Sequence, residues 1–320
     1  VNDFDETLPG PFEWDLKRLA ASFAVAGRDR GFAKKARAAV NLEVGRSYRE
    51  AMRGDAAERT LDTWYSRVHV EEILARAAAV GTRKQLRRAE KNIAKARSKD
   101  SLRAFGKLTE AVDGELRIRS DPPVIVPIHE LVHAEHHRAL DEALQTLIRS
   151  YRATLPGDRR QLLERFRYVD AARKVVGVGS VGTRAWIMLM LGRDNADPLF
   201  LQFKEAEASV LEPFVGASEY EQHGQRVGEG QRLMQAAGDI MLGWVRTSDV
   251  DGVERDYYVR QLWDAKGSAL VETMNPTALA YYAGVCGRTL ARAHARAGDS
   301  VAIAAYLGRG DPFDRALAEF

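Results

Sequence analysis

The stretch KVVGVGSVGTRAWIMLML, residues 174–191, constrains the fold more than any other part of this 320-residue chain. Gly177, Gly179 and Gly182 stand in the spacing G-x-G-x-x-G, which two unrelated phosphate-binding devices share. One is a strand-to-helix turn that points a helix N-terminus at a pyrophosphate, and it requires a helix directly after the last glycine. The other is a hairpin in which absent side chains let the backbone approach phosphate oxygens. The residues after Gly182 decide between them. TRAWIMLML ends in an unbroken apolar run, GRDNAD at 192–197 is a turn signal, and PLFLQFKEA is again short and apolar. The glycines therefore sit in or beside a β-hairpin, which predicts an antiparallel sheet.

Strands are expected at about 168–178, 184–191, 198–204, 240–246 and 256–262, with a helix at about 218–237 packed against them. The third strand carries Lys204, and the following helix offers Glu229, with Glu219 and Glu221 as competitors. A glycine hairpin, a lysine on the third strand and a helix glutamate, in that order, is the arrangement by which protein kinases hold the α- and β-phosphates of ATP. Ser180, inside the glycine loop, is placed to meet phosphate. YYVRQL is expected to be the last strand of this lobe, leading to an adenine-binding hinge near Trp263, with Asp264 and Lys266 at the lobe junction.

From Pro11 to about Arg167 the pattern is mostly helical. Phe12, Leu16, Leu19, Ala20 and Phe23 share one face at spacings of three and four, and further helices are expected at about 30–53, 57–79, 83–110, 129–154 and 158–167. Near the other end Asn275-Pro276 reads as an N-cap and first helical residue, opening a helix to about Ala297. Residues 83–119 hold twelve Lys/Arg against five Asp/Glu, but no aromatic ladder is interleaved and the whole chain carries only +3, so the run reads as a solvated face and a nucleic-acid partner is not expected. A single cysteine, Cys286, excludes a disulfide framework and fits a reducing cytoplasm. No apolar run reaches the roughly 18 residues of a spanning helix, so no membrane partner is expected.

The opening VNDFDETLPGPFEWDLKRLA resembles the metal segment of aminoglycoside phosphotransferases, in which an Asp, an aromatic and an acid precede a Gly/Pro stretch and then Asp-Leu. Asp3-Phe4 matches the metal-binding pair and Asp15-Leu16 the later structural pair, while Asn2 departs from an apolar position. Together with KVVGVGSVGTRAW, LFLQFKEA, GQRLMQAAGDI, YYVRQLWDAKGS and TLARAHARAGD, this segment resembles the bacterial family called domain of unknown function 2252, over nearly the whole chain. The resemblance implies an α+β, two-lobed, protein-kinase-like fold in circularly permuted order. Residues 1–165 would be a helical large lobe beginning at the metal segment, 166–265 a five-stranded antiparallel small lobe, and 266–320 helices returning to the large lobe. It implies ATP and Mg²⁺ as cofactors, Asp3 and Asp5 as metal ligands, and Asp3, Lys204 and Glu229 as catalytic residues. Members of that family carry a Gly-Asp-x-His-x-x-Asn-Phe-Gly-like segment ahead of the metal segment. This sequence lacks it, and Ala304 stands where an asparagine would follow Gly298-Asp299. The expected function is therefore ATP-dependent phosphoryl transfer to a small-molecule or protein acceptor, in a chain that reads as a catalytically incomplete fragment. The alternative is a nucleotide-binding pseudoenzyme or interaction module.

HELVH at 129–133 matches the H-E-x-x-H signature of zinc hydrolases. On a helix, His129 and His133 would lie one turn apart facing one metal, with Glu130 as general base. Glu135, Glu142 and Glu164 are open as a third ligand. The longer form of the motif fails, because His136 and Ala139 occupy the places of its glycine and third histidine.

Overall fold

A computed structural model describes residues 1–67, 87, 90, 91, 93, 94, 101–112, 114–175, 182–248, 251–262 and 269–320. The fold is α+β, with two separate cores. The first is helical. Helices α1 (Phe12–Asp29) and α2 (Lys34–Ala57) pack on the last three described helices, α10 (Pro276–Ala297), α11 (Ser300–Leu307) and α12 (Pro312–Glu319). Leu16, Phe23, Val44, Met52, Leu279 and Leu290 fill this core. The α2–α10 contact is close because glycine makes it so: a Cβ on Gly287 would lie 2.8 Å from the Val44 carbonyl oxygen. Asn275 caps α10 as expected, its side chain accepting from Ala278 N at 2.8 Å.

The second core is built on a sheet whose strands are β3 (Ile125–Pro127), β4 (Arg167–Lys174), β5 (Ala185–Leu191), β6 (Pro198–Ala206), β7 (Gly243–Ser248) and β8 (Glu254–Gln261). Their order is β3-β4-β5-β6-β8-β7, antiparallel throughout. β5 and β6 are buried almost from end to end, which explains why they read as continuous apolar runs and not as alternating ones. One face meets α6 (His137–Ala153) and α7 (Gly157–Leu163) through Leu144, Tyr151, Leu155 and Leu163. The other meets α4 (Ser101–Leu108) and α9 (His223–Met234). The short helices α3 (Thr60–Tyr65), α5 (Ile128–Leu131) and α8 (Glu212–Val215) complete the set used below.

Three expectations need correction. Among the described residues the sheet has six strands, not five. Ile125–Pro127 adds an edge strand to β4, three residues long and closed by a proline, which only an edge tolerates. The helix expected to run to about residue 110 ends at Leu108, and the chain folds back as the hairpin β1 (Thr109–Val112) and β2 (Glu115–Ile118), with Gly114 at φ +81° in its turn. Its Asp113-Gly114 dipeptide is a hairpin signal in the sequence itself. Finally, the continuous helix expected over 129–154 is broken at Val132, whose φ −126° and ψ 135° are extended. α6 and α7, grouped by sequence with the helices before them, share their core with the sheet. Among the described residues no helix is long and apolar enough to cross a membrane.

Candidate active site

Strand register sets the centre of the site. Ala185 pairs with Lys204, Lys204 with Tyr258, and Tyr258 with Trp244, so these four residues form one row across β5, β6, β8 and β7 on the face that carries α9. Ala185 is small, which leaves room beside the lysine. Lys204 is 13% exposed, and its Nζ donates to Asp5 Oδ1 at 3.1 Å and Oδ2 at 3.4 Å. The Tyr258 hydroxyl donates to the same Oδ1 at 3.1 Å, and the ammonium stands 5.4 Å from the Tyr258 ring centre. Burial, with the negative charge of Asp5 adding to it, pushes the Tyr258 phenol well above its ordinary range. It therefore stays a neutral donor at any physiological pH. One carboxylate is thus held by two neighbouring strands, 199 and 253 residues further along the chain.

The acidic segment is seated by its middle. Phe4 is buried against Ala206, Val227 and Tyr258, while Asp3 on one side is exposed and Asp5 on the other is part-exposed. Thr7 N donates back to Phe4 O at 3.0 Å, closing a turn. Arg226 of α9 reaches over this turn. Its guanidinium donates to Thr7 O at 2.7 Å, to Asp5 O at 2.8 Å and to Glu207 O at 2.8 Å. Desolvation pulls the Arg226 pKa below the usual arginine range, against the opposing charges of Glu6, Glu212 and Asp5. Gly230, one turn along α9, lets the helix lie on Thr7, since a Cβ there would come within 2.5 Å of the threonine side chain. Asp3 has φ +62° and is the one non-glycine residue at positive φ among those described. Such a conformation costs on the order of 1 kcal/mol and collects at functional positions.

Magnesium takes one or two carboxylates and completes its shell with phosphate oxygens and water, and Asp3 and Asp5 are carboxylates on either side of one anchored phenylalanine. Among the described residues no group of three or more His, Cys, Asp or Glu is placed to hold a metal ion. Gly182 has φ +102° at the entrance to β5, with open space where a Cβ would be. Gly177, Gly179, Ser180, Trp263, Asp264 and Lys266 lie outside the described residues. Glu229 does not reach the lysine. It pairs with Arg232 at 2.9 Å, and Asp5 is the partner of Lys204. The reason is helical phase: Arg226 and Gly230 occupy the face of α9 turned to the acidic segment, and Glu229 is rotated from Gly230 by about 100°.

The family described as an uncharacterized protein conserved in bacteria, DUF2252, matches residues 1–320. The chain belongs to the DUF2252 family. No curated protein and no solved structure matches it.

Elsewhere in this DUF2252 chain the zinc signature loses its geometric premise. α5 stops at Leu131, so His133 lies beyond the helix and does not stand one turn above His129. His129 instead sits 3.9 Å from the buried Asp170, and Glu130 accepts from Ser120 at 3.1 Å. Purified protein is expected to hold far less than one zinc per chain, with no change on His133→Ala. Metal analysis giving one equivalent, lost in that variant, would restore the hydrolase reading.

Sequence reasoning passed over Arg226 and Tyr258, and also a hydrogen-bonded chain that runs from the helical core of the DUF2252 fold to its surface. His294 Nδ1 lies 2.8 Å from the Tyr48 hydroxyl and its Nε2 3.0 Å from Asp15 Oδ2, which ties α10 to α1 and α2. The glycines of HGQRVGEGQRLM were the available signal for Arg226, because three glycines inside one helix announce close approaches. Asp299, the aspartate of the Gly-Asp pair, caps α11 by accepting from Val301 N and Ala302 N.

Proposed function

We propose that this DUF2252 chain binds Mg-ATP between the acidic segment and the sheet and serves ATP-dependent phosphoryl transfer to an acceptor, in a kinase-like fold whose segments follow a permuted order. The observation that carries this reading is the Lys204–Asp5 contact. It joins a lysine on the third strand of the run β4–β6, just after the glycine stretch, to the segment that resembles a phosphotransferase metal site. Lys204 would hold α- and β-phosphate oxygens, and Asp3 with Asp5 would hold the metal. A metal held there would neutralise charge that develops on a transferred phosphoryl group. The chain's own residues do the positioning: Tyr258 and Arg226 fix the carboxylate and backbone of Asp5, and Phe4 fixes the spacing of the two acids.

A second reading, a nucleotide-binding pseudoenzyme or interaction module, is favoured by one observation. Asp299 is engaged as a helix cap, and Ala304 stands at the expected asparagine position, so that pair does not supply catalytic groups.

The test is thermal unfolding with nucleotide. A ligand that binds only the folded state stabilises by about 2.7 kcal/mol at a hundredfold excess over Kd. Mg-ATP should therefore raise Tm by several degrees. Lys204→Ala should remove most of the rise, and Asp3→Ala should reduce it only when magnesium is present. No shift at millimolar Mg-ATP would reduce the kinase likeness to a matter of fold. A shift without phosphate release or transfer would favour the pseudoenzyme.

A further inference from the structure

The opposite face of the same strands carries a second feature that nucleotide binding does not use. Strand alternation sends Lys204 and Tyr258 to one side and their neighbours Phe203 and Tyr257 to the other. There, Phe203 and Tyr257 join Trp186 and Met188 in lining a cavity of about 380 Å³ between the sheet and α6. The cause is visible in how α6 is fastened. Its C-terminal end is pinned to the start of β7, where the Tyr151 hydroxyl donates to Met241 O at 2.5 Å and Thr154 Oγ1 accepts from Trp244 N at 3.2 Å. Gly243 allows this approach, since a Cβ there would lie 2.8 Å from both the Tyr151 ring and Thr154 Oγ1. Toward its N-terminal end α6 lines the cavity with Ala139, Leu140, Ala143 and Leu147.

Two properties distinguish this space from a packing fault. Its size is more than twice the roughly 150 Å³ of an apolar cavity that stays dry and accepts benzene. It is also lined by alanine where a larger apolar side chain would close it: Ala139 and Ala143, one turn apart on α6, and Ala171 on β4. Ala139 and Ala143 are exposed, so larger residues there would meet no steric bar from a closed core. Apart from Tyr257 and the indole N–H of Trp186, the lining side chains able to form hydrogen bonds are His136, Thr247 and Ser248, of which His136 and Ser248 are exposed and Thr247 is half-buried. A buried apolar floor with a few polar groups at the rim is the usual make-up of a small-molecule pocket.

We propose that this cavity is a binding site for a small amphiphile, with its apolar body against Phe203, Met188 and Leu147 and a single polar group at the rim beside Thr247 and Ser248. The site is independent of the nucleotide cleft, although only the thickness of β6 and β8 separates them.

The probe is 1-anilinonaphthalene-8-sulfonate, titrated into the folded protein and followed by fluorescence. One saturable site per chain is expected, displaced by 1-octanol and not by Mg-ATP. Ala143→Phe, which fills the cavity from an exposed helix position, should weaken binding at least tenfold while leaving the near-ultraviolet circular dichroism and Tm at or above wild type. If that variant fails to fold, Ala139→Leu carries the same expectation. Unsaturable binding, displacement by Mg-ATP but not by octanol, or equal affinity in a folded cavity-filling variant would each overturn the proposal.

Discussion

Arg226→Ala is expected to lower stability by about 3–5 kcal/mol, seen as a large fall in the urea midpoint at an unchanged slope. Arg226 is 2% exposed, and its guanidinium is the common partner of three backbone carbonyls from two separate stretches, Asp5 and Thr7 on one side and Glu207 on the other. Truncation leaves all three without their donor; a fully buried unmet carbonyl costs about 1–3 kcal/mol, and these part-buried ones cost less where water replaces the guanidinium. Burying the cation is itself unfavourable, as the downward pull on its pKa shows, so the net loss falls short of the sum of the three bonds. Arg226→Lys should recover only a fraction, because a lysine ammonium is a point donor and cannot span three carbonyls as the planar fork does. A loss below about 1 kcal/mol for Arg226→Ala would mean that Phe4 and the Asp5 contacts with Lys204 and Tyr258 hold the acidic segment without it.

Gly224→Ala is expected to cost at least about 3 kcal/mol, through overpacking against backbone. The new Cβ would lie 2.5 Å from Tyr257 C and 2.9 Å from Tyr258 N, and closer still to the Tyr257 carbonyl oxygen. These atoms belong to β8, which is bonded on both sides by β6 and β7 and has no freedom to withdraw. α9 must therefore lift from the sheet, taking Val227 out of its contact with Phe4 and Tyr258. Gly54→Ala in α2 is the matched control. Nothing lies within 4 Å of its would-be Cβ, and a gain of about 0.4–1 kcal/mol is expected from the stiffer unfolded chain and better helix propensity. Thermal or urea unfolding of the two variants side by side checks both signs. Because Arg226 and Gly224 act on one helix, their effects should not add.

Strands β4 to β8 were legible because their apolar runs are short and bounded by turns, and β5 and β6 are in addition buried on both sides. α10 was legible because Asn275 and Pro276 mark its start. The motif pointed to Asp3 as the acid that faces Lys204, whereas the carboxylate paired with the lysine belongs to Asp5, two residues further on. What sequence could not show was the rotational setting of α9. Three glycines, two arginines and a glutamate share that helix, and only packing against Thr7, Tyr257 and Trp244 decides which of them faces the acidic segment. The edge strand β3 stayed hidden for a different reason. Three residues beside a proline carry too little pattern to distinguish from loop, and the partner strand β4 supplies the order.

The alternation along β6 also limits how this sequence can change. The turns at either end of the strand can take up an added or lost residue, but the strand itself cannot. An insertion of one residue ahead of Phe203 within the paired region would exchange Phe203 and Lys204 across the sheet. The ammonium would then point into an apolar cavity, the aromatic ring would press on Asp5, and the same slip would separate Ala185 from the position opposite Lys204. In this region length is therefore a stricter requirement than residue identity. Variants that keep a small residue at 185 and an apolar one at 203 should be tolerated, whereas frame-preserving indels between Pro198 and Ala206 should not be.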